Sequence, residues 1–354
     1  MVNKKTIGIV AIVVIIVAIA AILASGVFST PTEPTDISAA INKDCTVTAW
    51  VVGEKEGFFK KYGVNVIDKG NIPAPQRPAA FTSGQLNVIE AQPNTLINFI
   101  QSGVKAKGVV VTETEPDDGD ISKQHMHWLV RDDSPLKSAK DIKKFKETNG
   151  RKVKVAISAT GTCAEIETNA WFRKNNISKE YYEVVVLGDD QQEVSLQQGT
   201  IDIACLHPPF YAKAEKDSKE AKDANGKFRI LFTSTDAFGK AAGLTFAVFT
   251  EDYIKENPDT VRDFVNAFKD AERWANEHRE EAGKLTSEKI GLPYAANTHW
   301  YSPSGAITPE VKELVQQWID ALVADGIIKE GEFKPEDLYT TEFNDTWKTD
   351  LPDF

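Results

Sequence analysis

Val153-Lys154-Val155-Ala156-Ile157, followed by Ser158-Ala159-Thr160-Gly161-Thr162, is the stretch whose reading decides the fold. The β-branched run predicts a buried strand. The small hydroxyl residues turn it into an amphipathic helix with Ile166, Ala170 and Trp171 near helical spacing. Such a turn leaves backbone N–H groups at a helix start, which suits an anion or a carbonyl oxygen. Val184-Val185-Val186-Leu187 predicts a second strand. Asp190, with Glu193 three residues on, predicts a capping box for a short helix that Gly199 stops. Ile201 to Leu206 is a third strand and runs into His207-Pro208-Pro209-Phe210. This β-α-β-α-β unit binds ligands at the carboxyl ends of its strands, where the Thr160 and His207 turns lie.

The same alternation extends towards the amino terminus. Cys45 to Val52 alternates like a strand, Gly53 to Gly63 is a short glycine-closed helix, and Val64 to Ile67 is a strand. Leu86 to Ile89 and Gly108 to Thr112 are further strands, with a helix opened by Gln92-Pro93-Asn94 between them. Glu115 to Asp120 is an acidic crossover, and His125 to Val130 is a strand. Beyond Phe210, Lys213 to Lys227 is a charged, solvated helix and loop. Phe228 to Phe232 and Leu244 to Phe249 resume strand character. Asn257-Pro258 and Thr308-Pro309 start two amphipathic helices, one burying Val261, Phe264, Val265, Phe268 and Trp274, the other Val311, Leu314, Val315, Trp318, Ile319 and Leu322. Two βα arrays predict α/β architecture with parallel sheets covered by helices.

The 354 residues are enough for two ordinary domains, and a composition 42% hydrophobic and 26% charged is that of a folded protein. A net charge of −11 argues against nucleic acid and against a basic membrane-binding patch, but not against a small anion in a local pocket. Cys45, Cys163 and Cys205 show neither a CxxC nor a zinc-type spacing, so neither a disulfide framework nor a structural metal is indicated.

Lys4-Lys5 precede an uncharged apolar run from Ile7 to Ala24. That run approaches the ~20 residues needed to cross a bilayer. Positive charge ahead of it predicts a cytoplasmic start and an exported remainder. A retained anchor is preferred over a signal cleaved near Ala24-Ser25-Gly26. Residues 1–28 are therefore the anchor or signal. The proline-containing stretch Ser29–Asp36 begins a linker, 29–40, and the fold is expected from Ile41.

Gly57-Phe58-Phe59-Lys60-Lys61-Tyr62-Gly63-Val64-Asn65-Val66 resembles the "GFFKKYGL-x-V" segment of ABC-importer substrate-binding proteins of the nitrate, sulfonate, taurine and thiamine-pyrimidine group. Thr82 to Val88, Arg131 to Lys143, Leu196 to Ala204 and Asn257 to Phe264 resemble further segments of that family in the same order. Asn87 departs from its usual aspartate, and the Pro73 to Pro78 stretch is unusually proline-rich. The resemblance implies a two-lobed type II periplasmic-binding-protein-like fold, each lobe a mostly parallel sheet flanked by helices, hinged by two crossovers. Lobe one would comprise 41–115 with 228–354, and lobe two 116–227. It implies a non-enzymatic monomer without cofactor or metal. Such a monomer captures a small anionic solute such as a sulfonate, taurine or nitrate and delivers it to an ABC permease and its ATPase. A thiamine-pyrimidine-type ligand, an enzyme on the same scaffold and a tethered sensor or adhesion domain remain alternatives.

The site expected in the cleft centres on Thr160, Gly161 and Thr162, whose hydroxyls and N–H groups suit an oxyanion, against plain helix capping. Gln92 and Asn94 form the matching turn in lobe one. Trp50 is either an apolar wall or a core residue. His207 faces the cleft or supports a hinge, and Gly243 brings backbone near the ligand. Phe210 and Tyr301 are weaker candidates. His125 and His127, two apart on a strand, would share a face, but no third metal ligand is evident nearby.

Overall fold

The computed structural model describes residues 34–41, 46–72, 76–116, 119–291 and 305–344. The chain divides into Met1–Thr35, of which only Pro34 and Thr35 are among these residues, and Asp36–Phe354. Among the described residues no helix is long and apolar enough to cross a membrane, and the run Ile7–Ala24 lies outside them.

Among the described residues, ten strands form two five-stranded sheets. The first contains β1 (Thr35–Ala39), β2 (Val64–Asp68), β3 (Val88–Ala91) and β4 (Ala106–Glu113), with β10 (Thr245–Thr250) arriving from late in the chain. Its order is β2-β1-β3-β10-β4. The second contains β5 (His127–Arg131), β6 (Val153–Ile157), β7 (Tyr182–Val186), β8 (Ile203–Leu206) and β9 (Phe228–Thr233), in the order β7-β6-β8-β5-β9. The two orders are the same pattern. In each, the fourth position holds the strand that follows a passage between sheets, and that strand runs antiparallel to both neighbours: β10 against β3 and β4, β5 against β8 and β9. The sheets are thus mixed rather than simply parallel, because each passage enters from the opposite end of the sheet. The two-lobed architecture is the one the sequence predicts.

Three elements differ from expectation. Val47–Lys55 is a helix, not a strand. Every residue from Val47 to Gly53 is buried, against the helices Pro258–Glu277, Arg279–Ile290 and Phe58–Lys61. A run buried all round shows no 3.6-residue stripe, so its β-branched alternation misleads. Residues assigned to the linker form β1, with Ile37 and Ala39 buried and Ala39 paired in parallel with Val88. Phe228–Thr233, expected to open the return to lobe one, instead pairs with β5 in the second sheet.

The packing explains why the halves hold. Trp50 meets Phe59, Phe264 and Phe268 at centroid distances of 5.9, 5.6 and 5.0 Å. In the second lobe Phe232 stacks between Trp128 and Trp171, 4.5 and 3.8 Å away. The helix Pro309–Ala324 packs on both Pro93–Gln101 and Cys163–Lys174, and the buried Trp318 donates its indole N–H to Ala241 O at 2.7 Å.

Candidate functional site

Strand ends of both sheets enclose a cavity of about 360 Å³, the size of a small-molecule site. The first lobe contributes Arg77, Glu90, Gln92, Glu113 and Thr245, and the second Ser158, Thr162, Cys163, Asp189, His207 and Phe210, with His125 from the passage between them.

Of the residues predicted from sequence, Gln92, Thr162 and His207 line this cavity, as does Phe210. Asn94 and Gly161 are not on its lining but meet each other: Asn94 Nδ2 donates to Gly161 O at 2.7 Å, a direct link between the lobes. Thr160 is exposed. Trp50 is a core residue, but its indole N–H donates to Glu90 Oε2 at 2.5 Å and so holds a cavity carboxylate. Gly243, at φ +70°, stands behind His125; a Cβ there would lie 3.0 Å from that residue's own Cβ, so only glycine fits the close approach. Tyr301 lies outside the described residues.

The anion-holding turn expected at Thr160-Gly161-Thr162 is internally engaged. Gly161 takes φ +75°, and its N–H donates to Glu165 Oε2 at 2.7 Å. Thr162 Oγ1 donates to Ala159 O at 2.7 Å. The helix it opens, Cys163–Lys174, presents Cys163 to the cavity instead.

Asp190 does not cap the following helix. Asp189–Gln197 starts two residues earlier than that cap would place it, behind Gly188, and Asp189 Oδ2 accepts from His207 Nδ1 at 2.9 Å. The other ring nitrogen of His207 lies 3.2 Å from Cys163 Sγ. Burial alone would lower the His207 pKa, but Asp189 and Cys163 outweigh it and hold the ring well above its ordinary value. The ring of His125 stands edge-on to that of His207 at 5.2 Å, and its Nε2 is 3.3 Å from Gln92 Nε2.

His125 and His127 do not share a face. β5 begins only at His127, so strand alternation does not reach His125. His127 stacks on Tyr211 at 3.8 Å and bonds Glu215 and Ile121 O.

Carboxylates dominate the surroundings. Glu272, fully buried on the helix Pro258–Glu277, is pushed well above the usual carboxylate range by burial and by Glu90 and Glu113. Burial, Cys163 and Glu115 do the same to Glu167. Glu115 is itself raised by burial, against hydrogen bonds from Ser234, Thr235 and the His125 N–H. Sequence reasoning missed Glu90, Glu113, Cys163 and Asp189. Each is the last residue or two of a strand, or the first of a helix, in an α/β unit, and that position was the available signal.

A two-sheet molecule with strand ends facing one cavity defines the periplasmic-binding-protein class of fold. The chain belongs to the NMT1-like family, whose pattern matches residues 30–290. Solved structures share the fold at low identity. The periplasmic aliphatic sulphonate binding protein SsuA from Escherichia coli is 18% identical over 87% of this chain and 92% of its own, with a TM-score of 0.66. The periplasmic nitrate-binding protein NrtA from Synechocystis PCC 6803 is 13% identical over 88% and 87%, with a TM-score of 0.68. The desulfurization enzyme DSZB is 12% identical over 88% and 98%, with a TM-score of 0.62. No curated protein matches the chain in sequence.

Proposed function

We propose that this chain is the extracytoplasmic solute-binding component of an ABC importer, holding a small polar solute between its lobes for delivery to a membrane permease. The observation that carries this is the cavity of about 360 Å³ to which both lobes contribute polar side chains. A solute bridging Glu90 and Gln92 on one side and Asp189 and His207 on the other favours the closed arrangement over any open one. The apolar run Ile7–Ala24 supports export and tethering.

The lining favours a ligand that presents N–H donors or positive charge. Among the described lining residues Glu90 and Glu113 stand against the guanidinium of Arg77, while Asp189 is paired with His207. The Gly161 N–H and the Thr162 hydroxyl are already engaged. Among the solutes considered, a thiamine-pyrimidine-type or other amine-bearing compound fits better than a sulfonate or nitrate, whose charge those carboxylates oppose. A thermal-shift screen of aminopyrimidines, small amines, sulfonates and nitrate tests this. An amine-bearing compound is expected to raise the melting temperature of the wild-type chain and to lose at least tenfold in affinity in Glu90→Gln. Stabilisation by nitrate or a sulfonate that Glu90→Gln leaves intact would refute the ligand class.

A further inference from the structure

Cys163, His207 and His125 each offer one soft or borderline donor atom to the same point of the cavity. The three donor atoms lie within 4.8 Å of one another, and all three residues line the cavity. The Cys163–His207 pair, at 3.2 Å, is already near the ~3.5 Å that a thiolate and an imidazole keep when they share a tetrahedral ion at about 2.3 and 2.0 Å. His207 carries the usual partner of a metal-binding imidazole: Asp189 fixes Nδ1 at 2.9 Å and leaves Nε2 facing the sulfur. Gly243 and Gln92 locate His125 from two sides.

The same Cys163–His207–Asp189 line could be read as a nucleophile, base and orienting carboxylate. Its setting argues otherwise. Glu90 and Glu113 line the same cavity, and a field of that sign opposes the anion that develops on an attacked acyl group but stabilises a bound cation.

We propose that Cys163, His207 and His125 hold one borderline-soft divalent transition-metal ion, of the Zn2+ type, with its remaining coordination position open to the cavity. Three protein ligands and an open position are the arrangement in which such an ion takes a donor atom from a small molecule. A thiolate ligand excludes Mg2+ and Ca2+ as the natural occupant. The site stands whether or not the cavity serves an importer.

Zn2+ and Co2+ are the probes, added to the purified full-length chain after chelator treatment. One Zn2+ per chain is expected by mass spectrometry and calorimetry. Co2+ is expected to give a thiolate-to-metal charge-transfer band. Cys163→Ser should abolish that band, and Cys163→Ser and His207→Gln should each weaken Zn2+ at least 100-fold. Asp189→Asn should weaken it by about 10–100-fold while keeping the band. Cys205→Ser, which removes the other described thiol, should leave Zn2+ binding unchanged. Circular dichroism of each variant separates loss of fold from loss of ligand. Less than one Zn2+ per chain, or equal uptake by folded Cys163→Ser, would overturn the site. So would alkylation of Cys163 at the same rate with and without Zn2+, accompanied by ester hydrolysis that Cys163→Ser abolishes; that result would assign the nucleophile instead.

Discussion

Asn94→Ala removes a direct hydrogen bond between the lobes. Asn94 is 1% exposed, and its Nδ2 donates to Gly161 O over 2.7 Å. A neutral bond of this kind contributes about 0.5–1.5 kcal/mol net, and a buried acceptor left unpaired costs about 1–3 kcal/mol. Two features pull the figure down. Gly161 is only half-buried, so water reaches its carbonyl in the variant. Asn94 Oδ1 is buried without a hydrogen-bond partner, so the substitution also removes an unpaired acceptor. The closed form should therefore lose about 1 kcal/mol, roughly a fivefold shift in any open–closed equilibrium. Asn94→Asp is the sharper test. It replaces the donor with an acceptor facing another acceptor and should cost about 2–4 kcal/mol at neutral pH. Urea unfolding followed by far-UV circular dichroism measures the stability, and small-angle scattering measures the radius of gyration. Asn94→Ala within roughly 0.3 kcal/mol of wild type, with Asn94→Asp no worse, would show that this contact does not hold the lobes together.

Two further outcomes follow from the cavity's first-lobe wall. Trp50→Phe keeps most of the aromatic packing but deletes the indole bond to Glu90; a loss of about 1.5–3 kcal/mol in urea unfolding is expected, and a loss below 0.5 kcal/mol would show the bond to be idle. Glu272→Gln should flatten the pH profile. The native carboxyl keeps its proton while the unfolded one ionises above its ordinary value of 4.5, so its stabilisation is complete below that pH and is lost as pH rises towards the raised native value. The variant should match the wild type near pH 4 and exceed it near pH 8; parallel profiles would refute protonated burial of Glu272.

The sequence by itself determined the alternation of strands and helices, because strand runs such as Val153–Ile157 and helix starts such as Asn257-Pro258 are local signals of hydrophobic period and capping chemistry. It also pointed to the carboxyl ends of strands, and Gln92, Thr162 and His207 among the residues it named line the cavity. Tertiary structure alone decided the rest. Val47–Lys55 became a helix because the helices Pro258–Glu277, Arg279–Ile290 and Phe58–Lys61 bury Val47 to Gly53, which no residue pattern within the segment records. The N–H of Gly161 is taken up by Glu165, four residues along the chain, a contact set by how that side chain folds back on the turn. Cys163, His207, Asp189 and His125 are scattered over some eighty residues, and only the stacking of β6, β8 and the β5 approach brings them to one point. Spacing along a chain reports neighbours on one element; convergence of separate elements is set by how the sheets pack.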